Sequence, residues 1–357
     1  MKDYTLKYGK GSVTFALDEA HVTELYGTPV PKIDDIRAAL YATLSSPVSH
    51  EPLESWVNSG DKVALIVSDM SRFWMRQDLV VPHIISYLTD KCGVNQNNIT
   101  IIIANGTHPG GDENELLTLV TDGVYDRIRV VNHDCQAKDL VYIGTTSLGT
   151  EVRINPIAAN ADKVIMLGAC TYHVMAGYGG GRKSILPGIS GLETIRQNHL
   201  HSLDLLAPRS NPLIGNGVTD GNPLNEDMCQ AAAMVKNLFG INLVTNADMQ
   251  LAHIISGDSM KSWQLACHRV DEIYRVPIVK KADVIITSCG GYPKDMSLYQ
   301  GTKIIDNVES GLNAGGTLIV LMEAVEGGGP AQYFDWLKPL KEGRLCLLYT
   351  SPSPRDA

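Results

Sequence analysis

The hydrophobic pattern of the chain alternates between short continuous apolar runs and stretches with helical spacing. Continuous runs of strand length indicate strands that are buried on both faces, which is typical of parallel sheets. These predicted strands cover residues 61–67, 99–104, 127–132, 163–168, 241–245, 252–256, 282–287 and 317–321. Helical spacing predicts helices over residues 33–44, 79–92, 113–120, 225–238, 260–274 and 298–312.

This alternation of strands and helices implies right-handed βαβ units and an α/β fold. We expect an N-terminal catalytic and cofactor-binding α/β domain over residues 1–272 and a C-terminal α/β domain over residues 273–345. Ligands of open α/β sheets bind at the carboxyl ends of the strands. Polar clusters follow the predicted strands in both domains, at Asp69/Arg72, Asn105/His108, His173/Lys183 and Tyr299/Gln300/Lys303. The pattern therefore predicts a cofactor and substrate cleft between the two domains.

Composition narrows the function classes. The net charge of −9 disfavours a nucleic-acid or anionic-membrane partner, which would require a basic surface. No apolar run reaches the roughly 18 residues of a membrane span, and the N-terminus lacks the apolar core of a signal peptide. The 7 cysteines include no Cys-x-x-Cys pair, which disfavours a thiolate zinc site and a disulfide framework. A cytoplasmic enzyme fits these properties best.

The end of the chain has a different character. Residues 346–357 read like the translation of a sequencing adapter, so we expect a non-native tail that is not part of the fold. The natural protein is then expected to be cut short near Leu345. The alternative is a native disordered tail rich in proline and serine.

A glycine-rich loop follows the predicted strand at residues 163–168. Its glycines allow positive φ angles and a close approach of the backbone to a ligand; they are Gly177, Gly179, Gly180, Gly181 and Gly188. The loop departs by one residue from the P-loop motif, because Arg182 stands where the last glycine belongs, and this disfavours a nucleoside triphosphatase. Phosphate binding by backbone amides remains open.

Several polar residues could carry chemistry. His108 and His173 occupy equivalent loops after strands and could act as a pair of proton-exchanging bases; otherwise each is a loop histidine bonded to a carbonyl. Asp69 could orient Arg72 to grip a carboxylate, or could simply cap a helix. Gln300 and Lys303 share a predicted helix face, which could equally be a solvated surface. Of His199 and His201, at most one is expected to face the site.

Together these motifs resemble the nickel-dependent lactate racemases and their 2-hydroxyacid racemase and epimerase relatives. The resemblance covers about residues 10–340, and the family continues beyond the end of this chain. It is carried by Asp69-x-x-Arg72, Asn105-Gly-Thr-His108, the segment 172–184, Pro187-Gly-Ile, His199, Gly221-Asn-Pro and Tyr299-Gln300-x-x-Lys303. The departure from the family pattern is Phe73-Trp74 after Arg72, where proline-containing sequence is usual.

The resemblance implies a nickel-pincer nucleotide cofactor, in which the ring carbon and two sulfurs already hold nickel. It implies His199 as the protein's nickel ligand and Lys183 as the amine that can hold the cofactor, with Gly179, Gly180, Gly181, Arg182 and Ser184 around it. His108 and His173 match the paired acid/base residues. The groups that match the substrate site are Arg72, Tyr299 and Lys303, supported by Asp69 and Gln300.

The implied reaction is racemisation of a 2-hydroxy acid, with lactate as the default substrate. One histidine takes the hydroxyl proton while hydride leaves the α-carbon, and the second histidine acts as acid when hydride returns to the other face. Dedicated maturation enzymes are the implied partners. Phe73-Trp74 could reshape the substrate pocket away from lactate. The alternatives are an epimerase of a larger sugar acid on the same cofactor and a cofactor-binding protein without turnover.

Overall fold

The computed structural model describes residues 1–204, 206, 209–292 and 294–329. The strands are β1 Lys2–Tyr8, β2 Gly11–Leu17, β3 Val63–Ser68, β4 Ile99–Ala104, β5 Arg129–Asn132, β6 Val141–Thr145, β7 Glu151–Ile154, β8 Lys163–Ala169, β9 Tyr172–His173, β10 Gly177–Tyr178, β11 Leu238–Thr245, β12 Leu251–Asp258, β13 Ala282–Ser288 and β14 Leu312–Leu321. The helices are α1 Ile36–Ser45, α2 Leu53–Trp56, α3 Val81–Asp90, α4 Glu113–Val120, α5 Asp122–Tyr125, α6 Pro156–Ala159, α7 Leu192–Leu200, α8 Pro223–Ala233, α9 Ser259–Tyr274, α10 Leu298–Gly301 and α11 Lys303–Val308.

The centre of the protein is a six-stranded sheet with the strand order β12-β11-β8-β3-β4-β5. All neighbouring strands are parallel except β11 and β12, which are antiparallel. Strands β3, β4 and β5 follow one another toward one edge of the sheet, and β8 then pairs with the opposite side of β3. The strand order therefore reverses between β3 and β8, which is where open α/β sheets form their ligand crevice.

Both faces of this sheet are covered, which explains the continuous apolar runs of its strands. In β3, Leu65 and Val67 face one core with helices α1, α3 and α4. Ala64 and Ile66 face a second core with helices α6, α7 and α8. The predicted α/β fold class is confirmed.

Most predicted elements are present, and two are predicted residue for residue, β4 and α4. The long helix predicted over residues 298–312 is wrong. The chain instead forms α10, a break at Thr302, α11 and a 3-10 turn, and β14 already begins at Leu312. At the break, the Thr302 hydroxyl donates to the Tyr299 carbonyl (2.8 Å), an example of a local bond that competes with helix continuation.

Three antiparallel hairpins do not appear among the predicted elements, β1–β2, β6–β7 and β9–β10. The β1–β2 hairpin lies against the C-terminal unit formed by β13, β14, α10 and α11. The Gly9 carbonyl accepts from Tyr292 N (2.7 Å), and Gly9 N donates to the Asp295 carboxylate (2.7 Å). The hairpin thus joins the unit furthest from it in sequence, although the predicted domain 1–272 groups it with the central sheet.

The two-domain boundaries themselves stay a prediction. Residues 330–345 of the predicted C-terminal domain and the predicted tail 346–357 lie outside the described residues. Among the helices of the described residues, none combines the length and apolar character that a membrane crossing requires.

Candidate active site

Asp69 and His108 meet at the carboxyl ends of the neighbouring strands β3 and β4. Asp69 follows the last residue of β3, and His108 lies in the loop after β4, so the parallel pairing of the strands brings them together. Nδ1 of His108 makes a short hydrogen bond with the Asp69 carboxylate, and the Ser71 hydroxyl donates to the same carboxylate (2.6 Å). Asp69 occupies an N-cap position but makes no capping hydrogen bond, which excludes the simple capping role.

The pKa of the Asp69 carboxyl reflects two opposing influences. Burial raises the pKa, but the hydrogen bonds from His108 and Ser71 and the charges of His108 and Arg72 together outweigh burial and hold the pKa below its ordinary value. The carboxylate therefore favours a proton on Nδ1 of His108. This arrangement leaves Nε2 of a neutral His108 with its lone pair, the state that a proton acceptor needs.

The loop that carries His108 is held by three further hydrogen bonds. Asn105 is buried and donates through its side chain to Asn132 Oδ1 (3.0 Å) and to the His133 carbonyl (3.2 Å). Gly106 N donates to the Gly188 carbonyl (2.9 Å), and Gly106 adopts a positive φ of 56°. The loop after β4 is therefore tied to the glycine-rich segment after β8.

His173 and Lys183 form a second pair, in the loop after β8. His173 lies on the short strand β9, which pairs with β10 through Gly177. Nδ1 of His173 accepts hydrogen bonds from the backbone amides of Met175 (3.2 Å) and Ala176 (3.1 Å). Nε2 of His173 lies 3.3 Å from Nζ of Lys183. Because Nδ1 accepts, a neutral His173 carries its proton on Nε2, which is the opposite tautomer from His108. In this tautomer the contact with Lys183 has Nε2–H as the donor and Nζ as the acceptor.

The glycines of this loop pack tightly against protein. A Cβ at Gly180 would come within 3.0 Å of the Ala169 backbone, and one at Gly181 within 2.7 Å of the Trp263 ring. A Cβ at Gly179 would lie 3.0 Å from the Ala169 carbonyl, and Ser184 is buried beside them. These glycines let the loop close onto the end of β8. Their predicted contact with the cofactor, together with that of Ser184, stays a prediction.

The side chain of Arg182 points into the protein, and its predicted place around the cofactor stays a prediction. Its side chain is only 1% exposed, and its guanidinium donates to backbone carbonyls of the same loop and to Asn225. Burial lowers the pKa of Arg182. The sequence position suggested a group directed at a ligand, but the fold turns this side chain inward because the loop needs donors for its carbonyl groups.

His199 lies in the last turn of α7 and is partly buried. The neighbouring Asn198 donates to Asp227 (2.8 Å), a fully buried carboxylate that also accepts from the hydroxyls of Thr146 and Thr150. Nε2 of His201 lies 3.9 Å from the same carboxylate. His201 is thus directed at Asp227, and His199 is the candidate for a metal ligand.

The predicted substrate groups lie in two places. After β3, Arg72 donates to the Ser71 hydroxyl (3.0 Å), so Ser71 links Arg72 to Asp69. In the C-terminal unit, Nζ of Lys303 donates to Gln300 Oε1 (2.6 Å) across the junction of α10 and α11, and Tyr299 precedes this pair. The predicted proximity of Gln300 and Lys303 is confirmed, although one continuous helix does not carry them.

Phe73 and Trp74, where the chain departs from the family pattern, are partly buried. Both pack against the core cluster on the α1 side of the central sheet. Their bulk is therefore accommodated in part by the core.

The sequence analysis did not predict the carboxylate that holds the β9–β10 hairpin. The Asp271 carboxylate on α9 accepts from the hydroxyls of Tyr172 (2.7 Å) and Tyr178 (2.6 Å), one from each strand of the β9–β10 hairpin. A signal was present, since Trp263, Cys267 and Asp271 are spaced four residues apart. A carboxylate at that spacing from a buried tryptophan and cysteine lies on their side of the helix and needs a buried partner.

Comparison with known proteins identifies the family. A family model for the lactate racemase N-terminal domain matches residues 8–209, more than half of the chain. The chain belongs to the lactate racemase family. A model for the lactate racemase C-terminal domain also matches this family member, over residues 278–348. The predictions of family and of an isomerase of the racemase type are both confirmed.

Individual relatives agree with this assignment. The lactate racemase of Thermoanaerobacterium thermosaccharolyticum is 29% identical over 351 residues, which cover 96% of this chain and 79% of that protein. The lactate racemase of Lactiplantibacillus plantarum is 27% identical over 355 residues, covering 98% and 81%.

Solved structures show the same fold. The lactate racemase apoprotein from T. thermosaccharolyticum superposes with a TM-score of 0.88 at 27% identity, covering 99% of this chain and 84% of that one. A Thermotoga maritima protein shares the fold alone, with a TM-score of 0.60 at 17% identity, covering 88% and 81%.

Proposed function

We propose that this enzyme racemises a 2-hydroxy acid, with lactate as the default substrate, using a nickel-pincer nucleotide. The observation that carries the proposal is the pair of anchored imidazoles in a member of the lactate racemase family. Asp69 fixes His108 at Nδ1, and two backbone amides fix His173 at Nδ1. Each ring therefore has Nε2 for proton exchange with a substrate.

The chain offers suitable groups for this cofactor. Imidazole is a good ligand for nickel, and the partly buried ring of His199 would supply one such nitrogen. The described residues contain no group of three His, Cys, Asp or Glu side chains placed to hold a metal ion, and a cofactor that brings its own ligands needs only one from the protein. The amine of Lys183, 3.3 Å from His173, would hold the nucleotide beside the acid/base pair. When bound, the cofactor supplies the hydride acceptor.

The two histidines would start the reaction with different tasks. His108, with Nδ1 directed at Asp69, takes the hydroxyl proton at Nε2. His173 presents Nε2–H toward the substrate oxygen, because the amides of Met175 and Ala176 exclude a proton from its Nδ1. The difference between the rings provides a proton acceptor on one side of the substrate and an N–H donor on the other. Loss of the Nε2 proton alone would leave His173 as an imidazolate, so net proton transfer from this ring would require Nδ1 to take up a proton in exchange.

Cationic groups would bind the substrate carboxylate. Arg72 is the better candidate for bidentate binding, since its planar guanidinium can donate two parallel hydrogen bonds to a carboxylate. Ser71 lies between Arg72 and Asp69 and limits the directions in which the guanidinium can turn. Lys303, oriented by Gln300 and preceded by Tyr299, would contribute a second positive charge from the C-terminal unit. Maturation enzymes that build the cofactor would be the partners in the cell.

Substitution of the two histidines tests the proposal. We expect His108→Gln and His173→Gln, produced with the maturation enzymes, each to lower kcat for lactate racemisation by about 10²-fold or more, because each removes a proton-exchanging group. Nickel per chain should stay at the wild-type level. The measurements are chiral chromatography from each enantiomer and elemental analysis of nickel.

The matched control is His268→Gln, an exposed histidine on α9 that should leave kcat unchanged. Racemisation that survives both active-site substitutions would contradict the two-histidine mechanism. A wild-type protein that carries nickel but racemises no 2-hydroxy acid would favour the cofactor-binding role. A panel that includes larger sugar acids distinguishes the epimerase alternative.

A further inference from the structure

A buried arginine without a charged acceptor lies behind the active-site loop. Among the described contacts of Arg182, every acceptor is uncharged. The guanidinium donates to the carbonyls of Ala176 (2.6 Å) and Tyr178 (2.8 Å) and, through Nε and Nη2, to Asn225 Oδ1 (2.9 and 2.6 Å). One of its faces lies against the Trp263 ring, 3.8 Å from the centroid.

Burying a cation in this way is costly, so the contacts must do something that a neutral side chain cannot. The carbonyls of the segment 176–180 are served by several donors. Tyr178 N donates to that of Ala176 (2.8 Å) and Trp263 Nε1 to that of Gly179 (2.9 Å), and Arg182 adds its own donors to both and to the Tyr178 carbonyl. A guanidinium has five N–H donors in a fixed plane and can serve several of these carbonyls at once. Longer contacts of 3.4 Å to the carbonyls of Gly179 and Gly180 complete the set.

Ala176 connects Arg182 to the active site. Its carbonyl accepts from Nη2 of Arg182 (2.6 Å), while its amide donates to Nδ1 of His173 (3.1 Å). A residue held at its carbonyl cannot turn its amide away from the histidine without breaking the bond to the arginine. The state of the His173 ring is thus coupled to a side chain that faces the interior.

We propose that Arg182 is a positioning residue for His173. By fixing Ala176, it keeps two amides directed at Nδ1, so the ring holds its proton on Nε2 beside Lys183. The consequence for turnover rests on the proposed function of His173, whereas the tautomer itself is a property of the apoprotein.

The test compares Arg182→Lys with the wild type. Lysine keeps the charge but cannot reach several carbonyls in one plane, so Ala176 should loosen. In ¹⁵N-histidine-labelled apoprotein, wild-type His173 should show a pyridine-like Nδ1 and a pyrrole-like Nε2, assigned by comparison with His173→Gln. In Arg182→Lys we expect the two signals to move toward each other as the tautomers mix.

Kinetics of the cofactor-loaded enzyme form the second measurement. We expect Arg182→Lys to lower kcat by about 10-fold to 100-fold with a smaller change in KM, as for a small misplacement of a reacting group. Arg127→Lys is the matched control, because Arg127 is exposed and bonds one backbone carbonyl, that of Gly123 (2.6 Å). It should change neither the His173 signals nor kcat.

If Arg182→Lys does not fold, Asn225→Ala provides the second variant, since it retains Arg182 but removes the acceptor of two of its bonds. The same direction of change in the His173 signals is expected. Unchanged His173 signals in a folded variant would overturn the inference, whether or not kcat falls. A mixed tautomer in Arg182→Lys together with full activity in His173→Gln would support the positioning role while refuting the proposed function.

Discussion

At the scale of single residues, the two active-site imidazoles differ in what anchors them. A carboxylate accepts from Nδ1 of His108, whereas two amides donate to Nδ1 of His173. The first anchor favours the neutral tautomer with a proton on Nδ1, and the second favours the one with a proton on Nε2. Two residues of the same type in similar loops thereby present different groups at Nε2, which is the difference that the proposed mechanism uses.

The Asp69–His108 pair makes a testable contribution to stability. The Asp69 pKa is lowered in the folded protein, so the pair stabilises the fold above the unfolded pKa of about 3.9, and the contribution is lost as pH falls through the folded pKa. We expect Asp69→Asn to lower the free energy of unfolding by about 1–2 kcal/mol at pH 6, where the charged hydrogen bond is intact. At pH 3 this difference should be smaller. Urea denaturation at both pH values measures it.

Asp126→Asn is the control for this prediction, because Asp126 is exposed on the surface after α5. Its effect should be small and equal at both pH values. A difference between wild type and Asp69→Asn that grows on acidification would contradict the assigned direction of the pKa.

At the scale of elements, α7 and α8 are joined through a buried carboxylate. Asp227 on α8 accepts from Asn198 on α7 (2.8 Å) and from the Thr146 and Thr150 hydroxyls next to the β6–β7 hairpin. The donor nearest to the proposed metal ligand is Asn198, directly before His199. The position of that ligand therefore depends on contacts among three elements rather than on α7 alone.

Substituting Asp227 should disturb both stability and the metal site. In Asp227→Asn, one of the three donors would face an amide NH₂ group, so we expect a loss of about 3 kcal/mol in the free energy of unfolding. Nickel per chain should fall in parallel if α7 shifts. Urea denaturation and elemental analysis measure the two effects. Glu226→Gln, the exposed neighbour on the same helix, should change neither; wild-type stability in Asp227→Asn would refute the role given to this carboxylate.

At the scale of the whole molecule, the N-terminal hairpin β1–β2 packs against the C-terminal unit. The buried Asp295 carboxylate accepts from Gly9 N (2.7 Å) and from Glu323 N (3.2 Å), which connects β1–β2 to the segment after β14. The unit that carries Tyr299, Gln300 and Lys303 is therefore completed by the other end of the described chain.

Removing this carboxylate should loosen the C-terminal unit selectively. In Asp295→Ala the two amides lose their buried acceptor, so we expect faster hydrogen exchange in β1, β2, β13 and β14. The central sheet should keep its protection. Hydrogen exchange followed by mass spectrometry resolves the two regions, and Asp283→Ala, which removes an exposed bond to Asn313 (2.8 Å), serves as the control. Equal acceleration throughout the chain would contradict a local role.

The sequence by itself determined the central strands, most of the helices and the placement of Asp69, His108, His173 and Lys183 after strands. These features depend on local sequence, because a buried parallel strand requires a continuous apolar run and its loop begins where that run ends. Local sequence patterns did not predict three features: the β1–β2 hairpin, the break at Thr302 and the inward direction of the Arg182 side chain.

Only the tertiary structure decided which polar side chains meet and which nitrogen of each histidine is anchored. Arg182 illustrates the reason. Its spacing from the glycines suggests a ligand contact, but its direction follows from carbonyls that need donors and from Trp263 and Asn225, which lie far away in sequence. Periodicity records which residues are buried, whereas the partners of a buried polar group are fixed by the packing of distant elements.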